Sequence, residues 1–194
     1  MLDKVVNFLF EIETLKKIKR AGWKRVGIGN PDSIAEHAFS TAQIAYILAK
    51  MEKANASKAA LIALFHDNGE ARIGDIDLVG KLYLKSEKGE EKAFLDQVKK
   101  LPGKGEIQQF FKEWKEQKTK EAIIARDADL LEGAIQAKFY MAQGNRLLKI
   151  WIKHWGSKLK TKSARKILKM IEKTKIDQWW KEIPEIKKEI QKLK

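Results

Sequence analysis

Helical spacing recurs along the chain, and strand-like alternation bounded by turn signals is missing. Apolar residues that return every three or four positions line one face of a helix, whereas a half-buried strand returns them every second position. Only Pro31, Pro102 and Pro184 interrupt the pattern. The expected fold class is therefore all-α, a helical bundle or globule. No solenoid-length repeat and no Ser/Gly-rich linker divides the chain. Its 194 residues suit a single domain spanning 1–194, since one core commonly covers roughly 100–200 residues.

The clearest helix start is Asn30-Pro31-Asp32-Ser33. Ser33 and Glu36 have the spacing of a capping box, in which each side chain satisfies a backbone amide of the first turn. His37 then falls in the first turn of a helix expected to end near Ala54-Asn55, with Ile34, Phe39, Ala42, Ala45 and Tyr46 as its apolar face. A second helix, capped at Asn55 or Ser57, runs through Leu61, Ile62, Leu64 and Phe65 to His66-Asp67, and Gly69 reads as its stop. The pattern weakens after Asp75, so Val79 to Glu91 is expected as a loop or frayed helix start ahead of a helix from Ala93 to Lys100. Beyond the break at Leu101-Pro102-Gly103, helices are expected from Glu106 to Lys118 and from Thr119 to about Gln143, then two or three basic amphipathic helices from Arg146 onward.

With no cysteine in the chain, disulfide scaffolds, thiolate metal sites and cysteine nucleophiles are excluded together. Any metal must be held by nitrogen and oxygen, and only His37, His66 and His154 supply imidazole. The net charge of +14, from 40 basic and 26 acidic residues, is compatible with anionic substrates, nucleic acid or plain solubility. The excess concentrates between Lys138 and Lys175, where Glu172 is the one acid; a solvated lysine-rich surface is the simplest reading. The longest unbroken apolar stretch, Ala59 to Phe65, falls far short of the ~20 residues that a membrane-spanning helix requires. Val5 to Phe10 lies between Asp3 and Glu11 without a basic leader or a small-residue cleavage site, so a cytoplasmic protein is expected.

The strongest local signal is His66-Asp67-Asn68-Gly69-Glu70 followed by Asp75, where a helix that reads as buried ends abruptly in ligands and acids. His66 follows Ile62 and Ala63 at helical spacing and so points inward, where an unsatisfied polar group costs about 1–3 kcal/mol. Asp127 interrupts an apolar stripe of Ile123, Ile124, Leu130 and Leu131 in the same way. A buried carboxylate must be paired, hydrogen-bonded or bound to metal. Asp129 falls off that stripe and reads as solvent-facing or structural. His37 lies on an inner face that continues to Ile44 and Leu48. Singly, each of these is as well explained as a satisfied core histidine or a salt-bridged aspartate. Together, two imidazoles and two carboxylates would suit manganese, cobalt, nickel, iron, zinc or magnesium, with waters completing the shell.

One histidine, then a His-Asp pair, then a distant aspartate is an order that resembles the HD-domain phosphohydrolases. Arg20-Ala21-Gly22-Trp23, Ser33-Ile34-Ala35-Glu36-His37, Leu64-Phe65-His66-Asp67-Asn68-Gly69-Glu70, Ile73-Gly74-Asp75 and Ala125-Arg126-Asp127-Ala128-Asp129-Leu130 are similar to successive motifs of one branch, the HD-domain 5'-deoxynucleotidases. The resemblance covers roughly Leu15 to Tyr140. It implies an HD-domain helical bundle with a five-helix core and extra C-terminal helices, the motif-bearing part at about 15–140 and a basic helical extension at about 146–194. It also implies one divalent cation per chain, held by His37, His66, Asp67 and Asp127, usually within a homodimer. The implied reaction is hydrolysis of a deoxyribonucleoside 5'-monophosphate to nucleoside and phosphate. Glu70 and Asp75 would then manage protons near the attacking water and the leaving 5'-oxygen. Trp23 matches an aromatic residue that the family places beside the substrate. Arg20 is assigned the phosphate, with Lys24 and Arg25 nearby and Gly22 standing where some relatives carry the arginine. Two-metal relatives recruit further histidines between the His-Asp pair and the last aspartate; none lies between Asp67 and Asp127, which implies a mononuclear site. His154 belongs to no motif.

Two other readings stay open. Another HD-type hydrolase would act on nucleoside triphosphates, a guanosine alarmone or a cyclic nucleotide, although triphosphohydrolases of this superfamily are generally much larger chains. A non-enzymatic nucleic-acid binder would use Trp151, Trp155, Trp179 and Trp180, interleaved with lysine, as a stacking platform. The i, i+4 spacing of Trp151 and Trp155 suits core packing better. Nucleic-acid affinity is therefore expected to be at most weak and non-specific, the partner a small nucleotide, and membrane association absent.

Overall fold

The computed structural model describes residues 2–193, and among them all regular structure is helical apart from one isolated antiparallel bridge between Lys19 and Ser33. In chain order the helices are α1 (Leu2–Glu13), α2 (Ala21–Arg25), α3 (Ile34–Met51), α4 (Ala56–Phe65), α5 (Glu70–Ile73), α6 (Leu78–Tyr83), α7 (Ser86–Val98), α8 (Lys104–Glu116), α9 (Lys120–Ala142), α10 (Lys149–Lys158), α11 (Lys162–Lys173), α12 (Gln178–Lys181) and α13 (Pro184–Lys192), with 3-10 turns at Thr14–Lys16 and Arg146–Leu148. The all-α expectation holds. No helix among the described residues is long and apolar enough to cross a membrane.

α3, α4 and α9 pack against one another at the centre, and the residues between them are mostly small: Ala45 and Ala49, Ala59 and Ala63, Ala122, Ala125 and Ala128. Short side chains let helix backbones approach, and Leu48, Ile62, Ile124 and Leu131 fill the remaining volume. Phe110 and Trp114 of α8 close one side of this core. α10 lies on the C-terminal half of α9, where Ala134, Ala137 and Tyr140 meet Trp23, Leu148 and Ile152. α7 joins α8 through Phe94 and Phe111, whose stacked rings have centroids 4.1 Å apart.

α11 is tied to α9 at both of its ends. At the N-terminal end, Asp127 accepts hydrogen bonds from the Lys160 and Thr161 amides (2.9 and 2.7 Å) and from the Thr161 hydroxyl (2.7 Å). At the C-terminal end, Lys138 donates to the carbonyls of Ile171, Glu172 and Thr174. A carboxylate at the head of a helix and an ammonium at its tail both complement the helix dipole.

The capping box at Ser33 forms: the Ser33 amide donates to Glu36 at 2.6 Å and the Glu36 amide donates to Ser33 Oγ at 3.3 Å. Gly69 is not a stop. It adopts ordinary right-handed backbone (φ −57°) in the turn that leads into α5, and a Cβ there would lie 2.6 Å from the Glu90 carbonyl oxygen. Glycine is needed for that close approach, not for chain reversal. Val79 to Glu91, expected as a loop or frayed helix start, holds nearly all of α6 and the first turns of α7, and four helices follow Arg146 in place of two or three.

Candidate metal centre

His37 projects from the first full turn of α3, and His66 is the C-terminal cap of α4; both are buried. Each imidazole is held by its Nδ1 edge. His66 Nδ1 lies 2.6 Å from the Ala63 carbonyl oxygen, which fixes Nδ1 as the donor. His37 Nδ1 lies 2.5 Å from a carboxylate oxygen of Glu132 on α9. Both Nε2 atoms are thereby turned toward the same space, and His37 Nε2 is buried with no hydrogen-bond partner.

Two carboxylates enter that space. Asp67 Oδ2 is 3.0 Å from His66 Nε2 and 3.7 Å from His37 Nε2. The other is Asp129, not Asp127: its Oδ1 is 3.2 Å from His37 Nε2, while its Oδ2 accepts a 3.1 Å hydrogen bond from Arg126. Asp127 was expected as a ligand because it interrupts an apolar stripe. The structure satisfies its burial with the amides and hydroxyl at the start of α11, and places it away from the histidines. Asp129, expected to face solvent, supplies the carboxylate in its stead. His37, His66 and Asp129 offer donor atoms that all lie within 4.8 Å of one another.

The donor set fits a divalent cation. Ligands bound at about 2.0–2.1 Å in tetrahedral or octahedral geometry stand about 2.8–3.4 Å apart, close to the 3.0, 3.2 and 3.7 Å separations of the three histidine–aspartate pairs. The orphaned His37 Nε2 is the lone pair such an ion would take. Electrostatics point the same way. Burial and the Arg20 charge push His37 down, but its contacts with Asp129 and Glu132 prevail and hold it up at about 9. Burial opposes the charge on Asp67 and Asp129 too, yet the neighbouring imidazoles keep both carboxyls below their usual range.

Glu70, at the first position of α5, is 5% exposed, and its Oε2 has no hydrogen-bond partner. Burial, then the charges of Asp67, Asp75 and Glu90, push it well above the carboxylate range, so it carries a proton near neutrality. Asp75 accepts a 2.6 Å hydrogen bond from the Ala21 amide and so pins the first turn of α2. That turn carries Arg20. Its guanidinium is desolvated but stays firmly charged among Glu132, Asp129, Asp67 and Asp32. Of the three basic candidates, Arg20 is the one brought to the cluster: Arg25 pairs with Asp77 and Lys24 is exposed.

Trp23, expected beside the substrate, is a core residue. It is 2% exposed, stacks on Trp151 at 5.2 Å and meets Tyr140 and Trp155 edge-on. It packs with Leu148 and Ile152 against the C-terminal half of α9. Glu132, Glu90 and Asp32 were not expected near the site. Asp129 and Glu132 share a helix face at i, i+3, which was a usable signal; Glu90 and Asp32 arrive through tertiary packing alone.

The family model described as HD domain matches residues 12–174. The chain belongs to the HD-domain family. Among curated proteins, this HD-domain chain is 32% identical over 144 residues to the 5'-deoxynucleotidase HDDC2 of Dictyostelium discoideum, covering 69% of this chain and 75% of that one. Identity to the Xenopus laevis protein of the same name is 28% over 139 residues, covering 70% and 69%. Among solved structures, a conserved hypothetical protein from Pyrococcus furiosus superposes with a TM-score of 0.75 at 31% identity, over 87% of this chain and 99% of that one. A predicted metal-dependent phosphohydrolase from Magnetospirillum magnetotacticum MS-1 shares the fold, with a TM-score of 0.70 at 20% identity over 89% and 91% of the two chains. The HD-domain match runs past Tyr140 through α10 and α11, so those helices lie inside the family's span and are not an addition to it.

Proposed function

We propose that this chain is a metal-dependent 5'-deoxynucleotidase, hydrolysing deoxyribonucleoside 5'-monophosphates to deoxynucleoside and phosphate with one divalent cation held by His37, His66, Asp67 and Asp129. The observation that carries the reading is the convergence of those four side chains beside Arg20 and a buried Glu70 whose Oε2 has no partner, in an HD-domain chain similar to proteins named 5'-deoxynucleotidases. Nitrogen and oxygen donors in this mixture suit manganese, cobalt, nickel, iron, zinc or magnesium. When bound, such an ion screens the phosphoryl oxygens and makes a water nucleophilic near neutral pH.

The protein's own groups supply the rest. Arg20 is charged and, among the described residues, makes no direct ion pair, so its fork of donors is free for phosphate oxygens. Glu70 holds a proton beside the cluster and delivers it to the leaving 5'-oxygen as the phosphorus–oxygen bond breaks. Asp75 holds α2, and with it Arg20, while its charge helps Glu70 keep that proton. A homodimer belongs to the same proposal, supported by Phe39, Tyr46 and Ile47 exposed along α3; sedimentation velocity tests it.

The catalytic reading is tested with metal-stripped protein resupplied with single divalent ions and offered a panel of nucleotides. Phosphate release should require an ion and should be greatest from deoxynucleoside 5'-monophosphates. Turnover that survives metal removal, or that is confined to triphosphates or cyclic nucleotides, sinks the proposal.

A further inference from the structure

We propose that Glu132 is the positioning residue of this centre, fixing the His37 ring so that Nε2 faces the cation. The proposal rests on the metal-centre reading above and adds a residue outside the ligand set.

Geometry carries it. A histidine ligand has two ring nitrogens, and the hydrogen bond made by one decides which way the other points and whether it bears a proton. His37 Nδ1 has two neighbours: Glu132 Oε2 at 2.5 Å and the Thr41 hydroxyl at 3.4 Å. The carboxylate oxygen is the nearer acceptor, so Nδ1–H donates to it and Nε2 is the edge left to face the cation. His66 has only the neutral Ala63 carbonyl in the equivalent place, at 2.6 Å. Among the described residues, Glu132 is therefore the one ionisable side chain that grips the far edge of a histidine in the cluster.

Glu132 is 6% exposed, and a carboxylate so buried needs partners of opposite charge or strong donors. His37 is one. The Arg20 charge acts on Glu132 from farther off, without a direct ion pair among the described residues. Because Glu132 follows Asp129 by three positions on α9, a single rigid helix presents a ligand and the support of a second ligand to the same cluster.

The test compares wild type with E132Q, which keeps the shape, E132D, which shortens the arm, and E132A. Zinc affinity is measured by competition with a chromophoric chelator. The His37 Nδ1–H proton is followed by NMR on the diamagnetic zinc-loaded proteins, and thermal unfolding is recorded without metal. Wild type should bind zinc and show a slowly exchanging, far-downfield Nδ1–H resonance. E132Q should bind about 10- to 100-fold more weakly and lose that resonance, with E132D in between. Wild-type zinc affinity and an unchanged His37 resonance in E132Q overturn the proposal. So does a defect confined to E132A that merely tracks lost thermal stability. A wild-type chain that takes up no divalent ion instead overturns the metal reading on which the proposal stands.

Discussion

Asp127 and Asp129 stand on the same helix with one alanine between them, and their carboxylates serve opposite sides of it. Two residues turn a helix by about 200°, so one aspartate looks toward α11 and the other toward His37, His66 and Asp67. Asp127 is fully buried, and Asp129 keeps only a small exposed fraction. Asp127 is repaid with amide and hydroxyl donors at a helix start, Asp129 with imidazole and Arg126. Burial of a carboxylate demands a partner but does not say which kind. Only the opposing surface decides that.

The largest expected effect comes from exchanging charge on the site side. Asp129→Asn should empty the centre in elemental analysis and lower phosphate release by about 10⁴-fold or more, since the ion contributes several kcal/mol to the transition state. Asp127→Asn should leave both nearly intact; the reverse pattern would invert the comparison. Next, Glu70→Gln should keep the ion while rate falls by about 10²-fold or more, as for a lost proton-transfer group. Full activity in that variant would remove Glu70 from the chemistry.

On the structural side of α9, Asp127→Asn should act on stability. Losing charge-assisted bonds to the start of α11 should cost about 2 kcal/mol, which for a chain of this length lowers the melting temperature by about 4–8 °C. An unchanged melting curve would mean that α11 docks without this contact. Smallest is the pH response of the metal-free centre. His37 keeps its proton up to about 9 in the fold against an ordinary value of 6.5. Its contribution to stability is thus complete below about 6.5 and is lost as pH climbs through about 9. A cation must displace that proton from Nε2, so apparent affinity should climb by up to about tenfold per pH unit across this window. Affinity independent of pH would show that His37 is already neutral.

Much of the site was legible because its signals are local. The Ser33–Glu36 box is a hydrogen-bond pattern within four residues and predicts the start of α3, hence the place of His37. The His66-Asp67 pair declares itself by ending an apolar helix. The choice between Asp127 and Asp129 was not legible from a stripe, because a stripe argument assumes one buried face. α9 buries Ile124, Ala128 and Leu131 against α3 and α4, and Ala134, Ala137 and Tyr140 against α10 and α2, so an aspartate off the main stripe is still inside the protein. Trp23 illustrates a second limit: its distance along the chain from His37 says nothing about which way its ring turns. The burial of Glu90 beside Asp67 follows from Gly69 meeting the Glu90 backbone, a contact with no local trace in sequence.

The double tether of α11 bears on how the molecule breathes. Asp127 and Lys138 grip that helix by its head and tail, and they sit on the helix that carries Asp129 and Glu132. Opening α11 by itself would strand a buried carboxylate and leave a lysine without its carbonyls, so native-state amide exchange should find α9 and α11 opening as one unit. Trimming the chain should therefore be tolerated beyond Thr174 but not before Thr161, even though no residue after Glu132 supplies a donor to the centre. A remote helix thereby sets how often the wall that carries Asp129 and Glu132 opens.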